Sequence, residues 1–554
     1  MSRHAAIAAV RAAAPAGLAV LAFALIALAG WPWPGYAVGC AALLASWAAH
    51  RPPPLGADTP ARVVLAAGGL AAAGDQPAGW LVVTGAALLG VLLAEPLLHR
   101  LARPWFRTAH LPARPRPPAA LVDNGAGWAV SSAAVALVGL VAVLAGPGWL
   151  LAAPALAAVG FAGWLLVDGW RRWRTGHRGE LAPLARAVTG HRPRFLLYFS
   201  APPGSEYQAR MWLPYLARVG EPFLVVLPEP HHLAPVAAAT SAPVVVCDTF
   251  EALDAVLATP SLQAAFYVNN GMKNAHCVRV ARLTHVQLYH GDSDKAVTAS
   301  PVNAMYDRIF VAGPAAIDRF AAHGVDIPRE KFRIVGRPQA EQLATGPPPG
   351  DRTGAPTVLY APTWVGTHAS GNHCSLPIAE PIVRALLARG ATVLLRPHPY
   401  TRRHRESARQ LLRVEQLLGQ DRAGTGREHR WGPAATTELS LFECMNRSDA
   451  MICDVSSVAS DYLATGKPFA ITDLAGAGDQ FPDTFPLARA GYRIAPGAGN
   501  LPAVLADLLG RDPLAVTRRE LRSYYLGDLP AGRSAEAFLA EARGCLAGTL
   551  GSPV

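Results

Sequence analysis

The sequence has 554 residues, of which 51% are hydrophobic and only 16% charged, and its formal net charge is +11. The chain is too long for one ordinary domain and too apolar for a purely soluble protein. Its seven cysteines are scattered without a CxxC pair, which argues against a disulfide framework or a zinc site.

The first third of the chain contains six apolar runs separated by short breaks. A membrane-spanning helix needs about 20 apolar residues. We therefore expect residues 1–175 to form a multi-span transmembrane domain of about six helices, with the third run the most doubtful. The runs are 13–30, 36–49, 63–74, 79–98, 127–145 and 149–167.

Arginines lie only in alternate breaks between these runs, and the breaks WPWPG, GDQPA and GPG contain no Lys or Arg. Because positively charged loops stay in the cytoplasm, we expect both termini and the rest of the chain to be cytoplasmic. A cleaved signal peptide is the alternative for the first run, and the apolar runs that follow disfavour it. The arginines are Arg3 and Arg11, Arg51 and Arg62, Arg100, Arg103, Arg107, Arg114 and Arg116, and Arg171, Arg172, Arg174 and Arg178.

From about residue 192 short β-rich runs alternate with amphipathic stretches such as 207–219 and 249–257. This alternation predicts parallel sheets flanked by helices. The pattern restarts after a Gly/Pro-rich linker at 343–356, so we expect two Rossmann-like lobes, 190–345 and 355–547, with ligands at the carboxyl ends of strands. The runs are RFLLYFS, PFLVVLP, PVVVCD, AAFYVNN, HVQLYHG and DRIFVAG, then TVLYAPTW, ATVLLRPHP, AMICDVSS and PFAITD.

The segment YHGDSDK places His290, Gly291, Asp292, Asp294 and Lys295 at a strand end. A neutral imidazole takes a proton from a hydroxyl near neutral pH, so His290 is a candidate general base. Gly291 allows a tight turn, and either acid is a candidate to orient the imidazole. The lysine is one of four in the chain and is a candidate phosphate ligand. A histidine that merely caps a turn is the alternative.

Two further strand ends carry groups suited to an anion. In LRPHPY, the prolines stiffen a turn that presents Arg396 and His398. A solvated surface turn is the alternative.

In CDVSSVASDYLATGKP, a predicted helix start offers Ser456 and Ser457 to a phosphate, and Asp461 lies one turn further on, suited to ribose hydroxyls. Helix capping by Asp454 or Ser456 is the alternative. Thr363 of YAPTW supplies another strand end.

Several functions are disfavoured by what the sequence lacks. It has no GxxxxGK[ST] loop, no GxSxG elbow and no HExxH motif, which weakens NTPase, hydrolase and zinc-protease interpretations. The basic residues form no helical array with interleaved aromatics, so nucleic acid is not an expected partner. No cluster of metal ligands is evident, so we expect no cofactor to be required and leave a dependence on divalent metal open.

The motifs HGDSDK, VGRPQAEQL, YAPTW, RPHP and DVSSVASDYLATGKP, in this order over residues 285–471, resemble those of the CDP-glycerol glycerophosphotransferases. These are the teichoic acid primases and polymerases, and the resemblance implies a GT-B fold. The family's first motif carries Thr-Pro-Leu where this chain has Asp292-Ser293-Asp294. The role of the two acids is left open.

The resemblance implies that an acceptor hydroxyl attacks the β-phosphorus of CDP-glycerol and that CMP leaves. His290 is then the base, and Arg396 and His398 stabilise the diphosphate. Lys295, Thr363, Ser456, Ser457 and Asp461 bind the donor, and Gly291, Asp292, Asp294 and Asp454 support the site. The implied partners are a CDP-polyol, a lipid-linked or polymeric acceptor and the lipid bilayer.

Two other functions stay open. A GT-B glycosyltransferase that uses a sugar nucleotide would have the same two lobes. A membrane scaffold or sensor without catalytic activity would also bind a nucleotide, but histidines at two strand ends favour an enzyme.

Overall fold

The computed structural model describes residues 3–50, 52–102, 104–115, 122, 125–344, 354–366, 372–530 and 532–547. The chain forms two compact units. One comprises Met1–Thr108, Pro112–Ala187 and Cys247–Val256, and the other comprises Ala109–Leu111, Val188–Val246 and Leu257–Val554. Most of the linker predicted at 343–356 lies outside the described residues, so the exact lobe boundaries stay predictions.

The six apolar runs of the N-terminal unit correspond to six helices among the described residues. These are Arg3–Ala27, Pro32–His50, Thr59–Ala72, Ala78–Ala102, Ala126–Val143 and Gly148–His191. By length and composition, three segments of this described part are able to cross a membrane, namely Ala78–Leu101, Ala126–Val143 and Gly148–Arg171. Three of the about six expected spanning helices therefore have sufficient length and hydropathy. For the other helices, membrane spanning stays a prediction.

Arg62 was assigned to a break between apolar runs but does not lie in a loop. Arg62 is inside the helix Thr59–Ala72 and is fully buried. Its Nη2 pairs with the Glu95 carboxylate, and its Nη1 donates to Glu95 Oε1 at 3.1 Å and to Ser131 Oγ at 2.9 Å. Arg62 thus pairs with a neighbouring helix and is not a loop charge. It therefore no longer supports the membrane orientation that was predicted from loop arginines.

The second unit contains two parallel sheets that account for all ten predicted strands. Seven strands of the first sheet run in the order β4-β3-β2-β5-β6-β7-β8, and the second sheet runs β10-β9-β11-β12-β13. The strands are β1 Arg107–Ala109, β2 Phe195–Tyr198, β3 Phe223–Leu227, β4 Val244–Val246, β5 Ala264–Tyr267, β6 Thr284–Gln287, β7 Arg308–Val311, β8 Phe332–Ile334, β9 Thr357–Ala361, β10 Thr392–Leu395, β11 Ala450–Cys453, β12 Phe469–Thr472 and β13 Tyr492–Ile494.

Helices cover both sheets, as parallel sheets require. In β9, Val358 and Tyr360 belong to one apolar cluster and Leu359 and Ala361 to another, so both faces of the second sheet are buried. The helices after residue 192 are Tyr207–Arg210, Leu213–Ala217, Leu233–Ala237, Phe250–Leu257, Asn274–Val278, Pro314–Ala322, Ala379–Ala388, Arg405–Thr425, Pro433–Thr436, Leu441–Arg447, Ser457–Tyr462, Phe481–Thr484, Leu501–Ala506, Ala515–Leu526 and Ser534–Ala547. The last of these packs Phe538 into the core of the first lobe.

The strand orders define where each lobe binds a ligand. In the first sheet the order reverses between β2 and β5, and in the second it reverses between β9 and β11. In open parallel sheets, ligands bind beyond the carboxyl ends of strands at such reversals. The predicted fold class, an α-helical N-terminal region followed by two Rossmann-like lobes of the GT-B type, is confirmed.

Candidate active site

His290 lies at the carboxyl end of β6, beside the strand reversal of the first sheet. Its Nδ1 is 2.9 Å from the carbonyl oxygen of Val268, which follows β5. A carbonyl only accepts, so Nδ1 carries the proton and Nε2 has a free lone pair. Burial is the main cause that lowers the pKa of His290, and the Arg337 charge adds to it, against the opposing effect of the Val268 hydrogen bond. The imidazole is therefore neutral at pH 7 and suited to accept a proton.

We expected Gly291 to allow the tight turn at His290. The residue with the unusual backbone conformation is instead Tyr289. Tyr289 has φ of 54°, in the left-handed region that side chains disfavour. The indole Nε1 of Trp212 donates to the Tyr289 carbonyl at 2.5 Å and stabilises this conformation. Gly291 instead allows a close approach between the lobes, because a Cβ there would lie 2.5 Å from Ser457 Oγ.

His398 lies beyond β10 in the second lobe and has the opposite tautomer. The backbone N–H of Tyr400 donates to its Nδ1 at 3.1 Å, so the proton is on Nε2. Burial, and after it the positive charge of Lys295, lower the pKa of His398 to about 3. His398 is therefore a neutral hydrogen-bond donor in the free protein.

Tyr207, which follows β2, joins the two histidines. Its ring is perpendicular to His290 at a centroid distance of 6.1 Å and to His398 at 6.2 Å. Trp364 stacks on His398 at a centroid distance of 6.0 Å. The sequence did not single out Tyr207, because an aromatic residue at a helix start has no distinctive spacing.

Lys295 extends from the first lobe to the second. Its Nζ is 3.5 Å from Thr363 Oγ1, and burial lowers its pKa while the Asp454 carboxylate opposes that shift. His373 lies near the lysine, and burial together with the Lys295 charge lowers its pKa to about 4. The Lys295 ammonium group, the Thr363 hydroxyl and the neutral imidazoles of His373 and His398 thus lie together near the strand ends.

Asp454 organises the strand ends of the second sheet. Its carboxylate is fully buried and accepts from Thr363 N at 2.6 Å, Ser375 N at 3.1 Å and Thr472 Oγ1 at 2.7 Å. Burial raises its pKa, against these hydrogen bonds. The predicted supporting residue is thus bonded to the loop after β9 and to the last residue of β12, and it does not cap the helix that follows it.

The two serines lie where the lobes meet. Ser456 precedes the helix Ser457–Tyr462, caps it with no side-chain hydrogen bond, and its buried Oγ has no partner among the described residues. Ser457 faces Gly291. Their role in phosphate binding stays a prediction.

Two of the predicted ligands are occupied by other groups. The Nη1 of Arg396 donates to the carbonyl oxygens of Ala435 and Leu439, the latter at 2.7 Å. Asp461 is buried and accepts from Nε of Arg337 at 2.7 Å. In this structure the Asp461 carboxylate therefore faces an arginine of the first lobe where a ribose was expected.

The two extra acids of YHGDSDK bind Arg319 and do not orient His290, contrary to expectation. Arg319 Nη1 pairs with Asp292, and its Nη2 lies 3.1 Å from Asp294 Oδ1. Asp294 also accepts from Leu487 N at 2.9 Å and from the Tyr525 hydroxyl. The acids raise the pKa of Arg319 against the effect of burial. The loop is thus anchored to both lobes by its acids, while Val268 orients the histidine.

The structure brings His290, His398, Lys295 and Thr363 together with Tyr207. The side chains of Arg396 and Asp461 are instead hydrogen-bonded to other groups of the protein. Among the described residues, no group of three or more His, Cys, Asp or Glu side chains is arranged to hold a metal ion. A proton acceptor and a cation from one lobe and a hydrogen-bond donor from the other are groups that a two-lobed group-transfer enzyme needs.

Residues 344–474 match the family model described as CDP-Glycerol:Poly(glycerophosphate) glycerophosphotransferase. This match confirms, for the matched segment, the family resemblance predicted from the motifs. His290 and Arg337 precede the matched segment. No curated protein matches the sequence.

Three solved structures illustrate the similarity of the fold. The wall teichoic acid polymerase TagF is 13% identical over 66% of this chain and 96% of its own, with a TM-score of 0.42. A glycosyltransferase from Rickettsia africae is 10% identical over 64% and 98%, with a TM-score of 0.40. Anabaena HepE in complex with UDP and glucose is 13% identical over 64% and 99%, with a TM-score of 0.37.

Proposed function

We propose that this protein is a membrane-anchored transferase that moves glycerol phosphate, or a related polyol phosphate, from a CDP-activated donor to a hydroxyl of a cell-envelope polymer or lipid-linked acceptor. CMP is the second product. The first lobe holds the acceptor and the second lobe holds the donor. The observation that carries the proposal is the pair of neutral histidines with complementary tautomers on facing strand ends.

The reaction needs one proton acceptor. The acceptor oxygen forms a bond to the β-phosphorus while its proton passes to Nε2 of His290, and the bond from that phosphorus to the bridging oxygen breaks. The electron pair of the broken bond stays on the bridging oxygen, which leaves as part of CMP. His290 then releases its proton to water. Phosphoryl transfer depends mainly on alignment and charge neutralisation.

The second lobe, together with Lys295 of the first lobe, supplies the charge neutralisation. Nε2–H of His398 donates to the diphosphate, and Lys295, with Thr363 beside it, holds a phosphate oxygen. A bound anion favours the protonated form of a neighbouring imidazole, so the donor itself raises the pKa of His398. Arg396 acts from the neighbouring strand end by positioning the segment after Gly432.

CMP release measured on purified full-length protein in detergent tests the proposal, with a panel of CDP-polyols and nucleotide sugars as donors. The expected result is release of CMP from a CDP-polyol that depends on a hydroxyl acceptor. Turnover of a nucleotide sugar alone would assign the protein to the glycosyltransferases. Binding of nucleotide without turnover of any donor would support the interpretation of the protein as a scaffold without catalytic activity.

The lobes are proposed to be cytoplasmic, because arginines flank the apolar helices on one side. Single cysteines introduced near Thr175 into a cysteine-free background test this by labelling intact cells with an impermeant reagent. Labelling only after the cells are opened is expected. Ready labelling from outside would overturn the orientation.

A further inference from the structure

We propose that Arg337 is a positioning residue that couples the donor lobe to the catalytic histidine. This inference rests on the proposed function, because it assigns His290 the role of base. Arg337 lies just beyond β8 of the first lobe, in the motif VGRPQ, and no role follows for it from the sequence.

The geometry is a three-point contact. Nε of Arg337 lies 2.7 Å from Asp461 Oδ1, and Nη2 lies 3.3 Å from Asp461 Oδ2. The same Nη2 lies 3.2 Å from the carbonyl oxygen of His290. One rigid guanidinium therefore bonds a carboxylate of the second lobe and the main chain of the base at the same time. Lysine, with a single point of charge, cannot hold both in this geometry.

The contact completes the placement of His290. Val268 fixes the ring through Nδ1, and Arg337 fixes the peptide that carries the ring. Because Asp461 lies in the helix that starts at Ser457, a shift of this helix is transmitted to His290. Proper alignment of the base then requires that the donor lobe is in place.

The charge of Arg337 also acts on the base. A nearby cation disfavours the imidazolium, so Arg337 helps to keep the pKa of His290 low. The other titratable or charged groups that face His290 are Tyr207 from the loop after β2 and His398 from the end of β10. Asp461 lies behind Arg337 and offsets part of its charge.

Two substitutions separate geometry from charge. Arg337→Lys keeps the charge and loses the fork, so we expect kcat to fall by about 10- to 100-fold through misalignment, with the pH profile unmoved. Arg337→Met removes the charge as well, so the acid limb of kcat/KM moves to higher pH. Arg333→Met is the matched control, because Arg333 is also buried, pairs with Glu541 at 3.3 Å and lies in β8, four residues before Arg337.

The pKa of His290 is measured without activity, from the pH dependence of its modification by diethyl pyrocarbonate, quantified by mass spectrometry. The expected result is a higher pKa in Arg337→Met and an unchanged pKa in Arg333→Met. An unmoved His290 pKa in folded Arg337→Met, or normal kcat in Arg337→Lys, would overturn the inference. A fully active His290→Ala protein would instead refute the base itself, so the two failures are distinguishable.

Discussion

The carbonyl oxygen of Val268 lies 2.9 Å from Nδ1 of His290, and this contact leaves Nε2 as the ring nitrogen able to take a proton. The backbone just after β5 therefore selects the tautomer of His290. A neutral imidazole with a fixed tautomer loses no free energy to ring rotation before proton transfer, which favours catalysis at neutral pH.

Replacement of His290 by alanine is expected to lower kcat by about 10²- to 10⁴-fold while the donor still binds. The base acts on the acceptor hydroxyl, so its loss affects turnover and not nucleotide affinity. CMP release measures the first effect and calorimetric titration of CMP the second. His323→Ala is the control, because this histidine is exposed at the end of the helix Pro314–Ala322. Near-normal turnover in His290→Ala would make His290 a structural turn residue.

The two amides that mimic histidine distinguish the tautomer of His398. Gln places its N–H₂ where Nε2–H lies, whereas Asn places it near Nδ1, so His398→Gln should retain more activity than His398→Asn. Loss of a donor to the developing charge costs about 10²- to 10³-fold in kcat. Equal losses in the two variants would contradict the assigned tautomer.

The low pKa of His398 also has a consequence for the pH profile. Because kcat/KM reports the free enzyme and this pKa is about 3, His398 is neutral throughout the range from pH 5 to 8. The acid limb of kcat/KM in that range should therefore come from His290 alone. Every His398 variant with measurable activity should still show it. A kcat/KM profile whose acid limb is lost in His398→Gln is the contrary result.

Asp461 distinguishes a lobe-to-lobe ion pair from a ribose ligand. Removing one partner of a buried pair leaves an uncompensated charge, so Asp461→Ala should lower the free energy of unfolding by about 3–5 kcal/mol. Asp461→Asn keeps the shape and should lose less. Urea unfolding measures both, and calorimetry of CMP with the folded variants measures the nucleotide. A loss of CMP affinity in Asp461→Asn without a loss of stability would restore the ribose role.

The anchoring of the YHGDSDK loop predicts unequal effects of its two acids. Asp294 accepts from Leu487 N, the Tyr525 hydroxyl and Arg319, whereas Asp292 has the arginine as its side-chain partner. Asp294→Asn should therefore destabilise the protein by about 1–3 kcal/mol, and Asp292→Asn by less. Thermal unfolding compares them. A larger loss in Asp292→Asn would show that the loop is anchored differently.

Gly291 and Ser457 form a matched pair for a double-mutant cycle. A Cβ at 291 would lie 2.5 Å from Ser457 Oγ and 2.7 Å from its Cβ, so Gly291→Ala should lower stability by about 1–3 kcal/mol. Ser457→Gly removes the clashing atoms and should restore most of the loss in the double variant. Additive losses in the two single variants would mean that the lobes do not approach here.

The sequence predicts central strands better than edge strands. All ten predicted strands are present, whereas RTA of β1, FRI of β8 and YRI of β13 were missed. β8 and β13 lie at the edges of their sheets, and each of the three missed strands carries an arginine in three residues, so none forms an apolar run. Edge strands need less burial than central ones, and a pattern based on burial detects them poorly.

The site shows the same division between local and distant information. Strand ends and residue types are local, so the sequence correctly placed His290, His398 and Lys295 just beyond strands. The partners of Asp294 and Asp461 are not local, since Arg319 is 25 residues from Asp294 and Arg337 is 124 residues from Asp461. No spacing connects such positions, and only packing of the two lobes decides which charge a carboxylate meets.

The buried pair of Arg62 and Glu95 sets an order for synthesis. The two residues are 33 positions apart on successive helices, so the arginine leaves the ribosome before its partner exists. A buried charge that lacks its partner costs several kcal/mol, so Arg62 is costly to bury until Glu95 is available. The helix Thr59–Ala72 is therefore expected to reach its packed position only after the helix Ala78–Ala102 has been made.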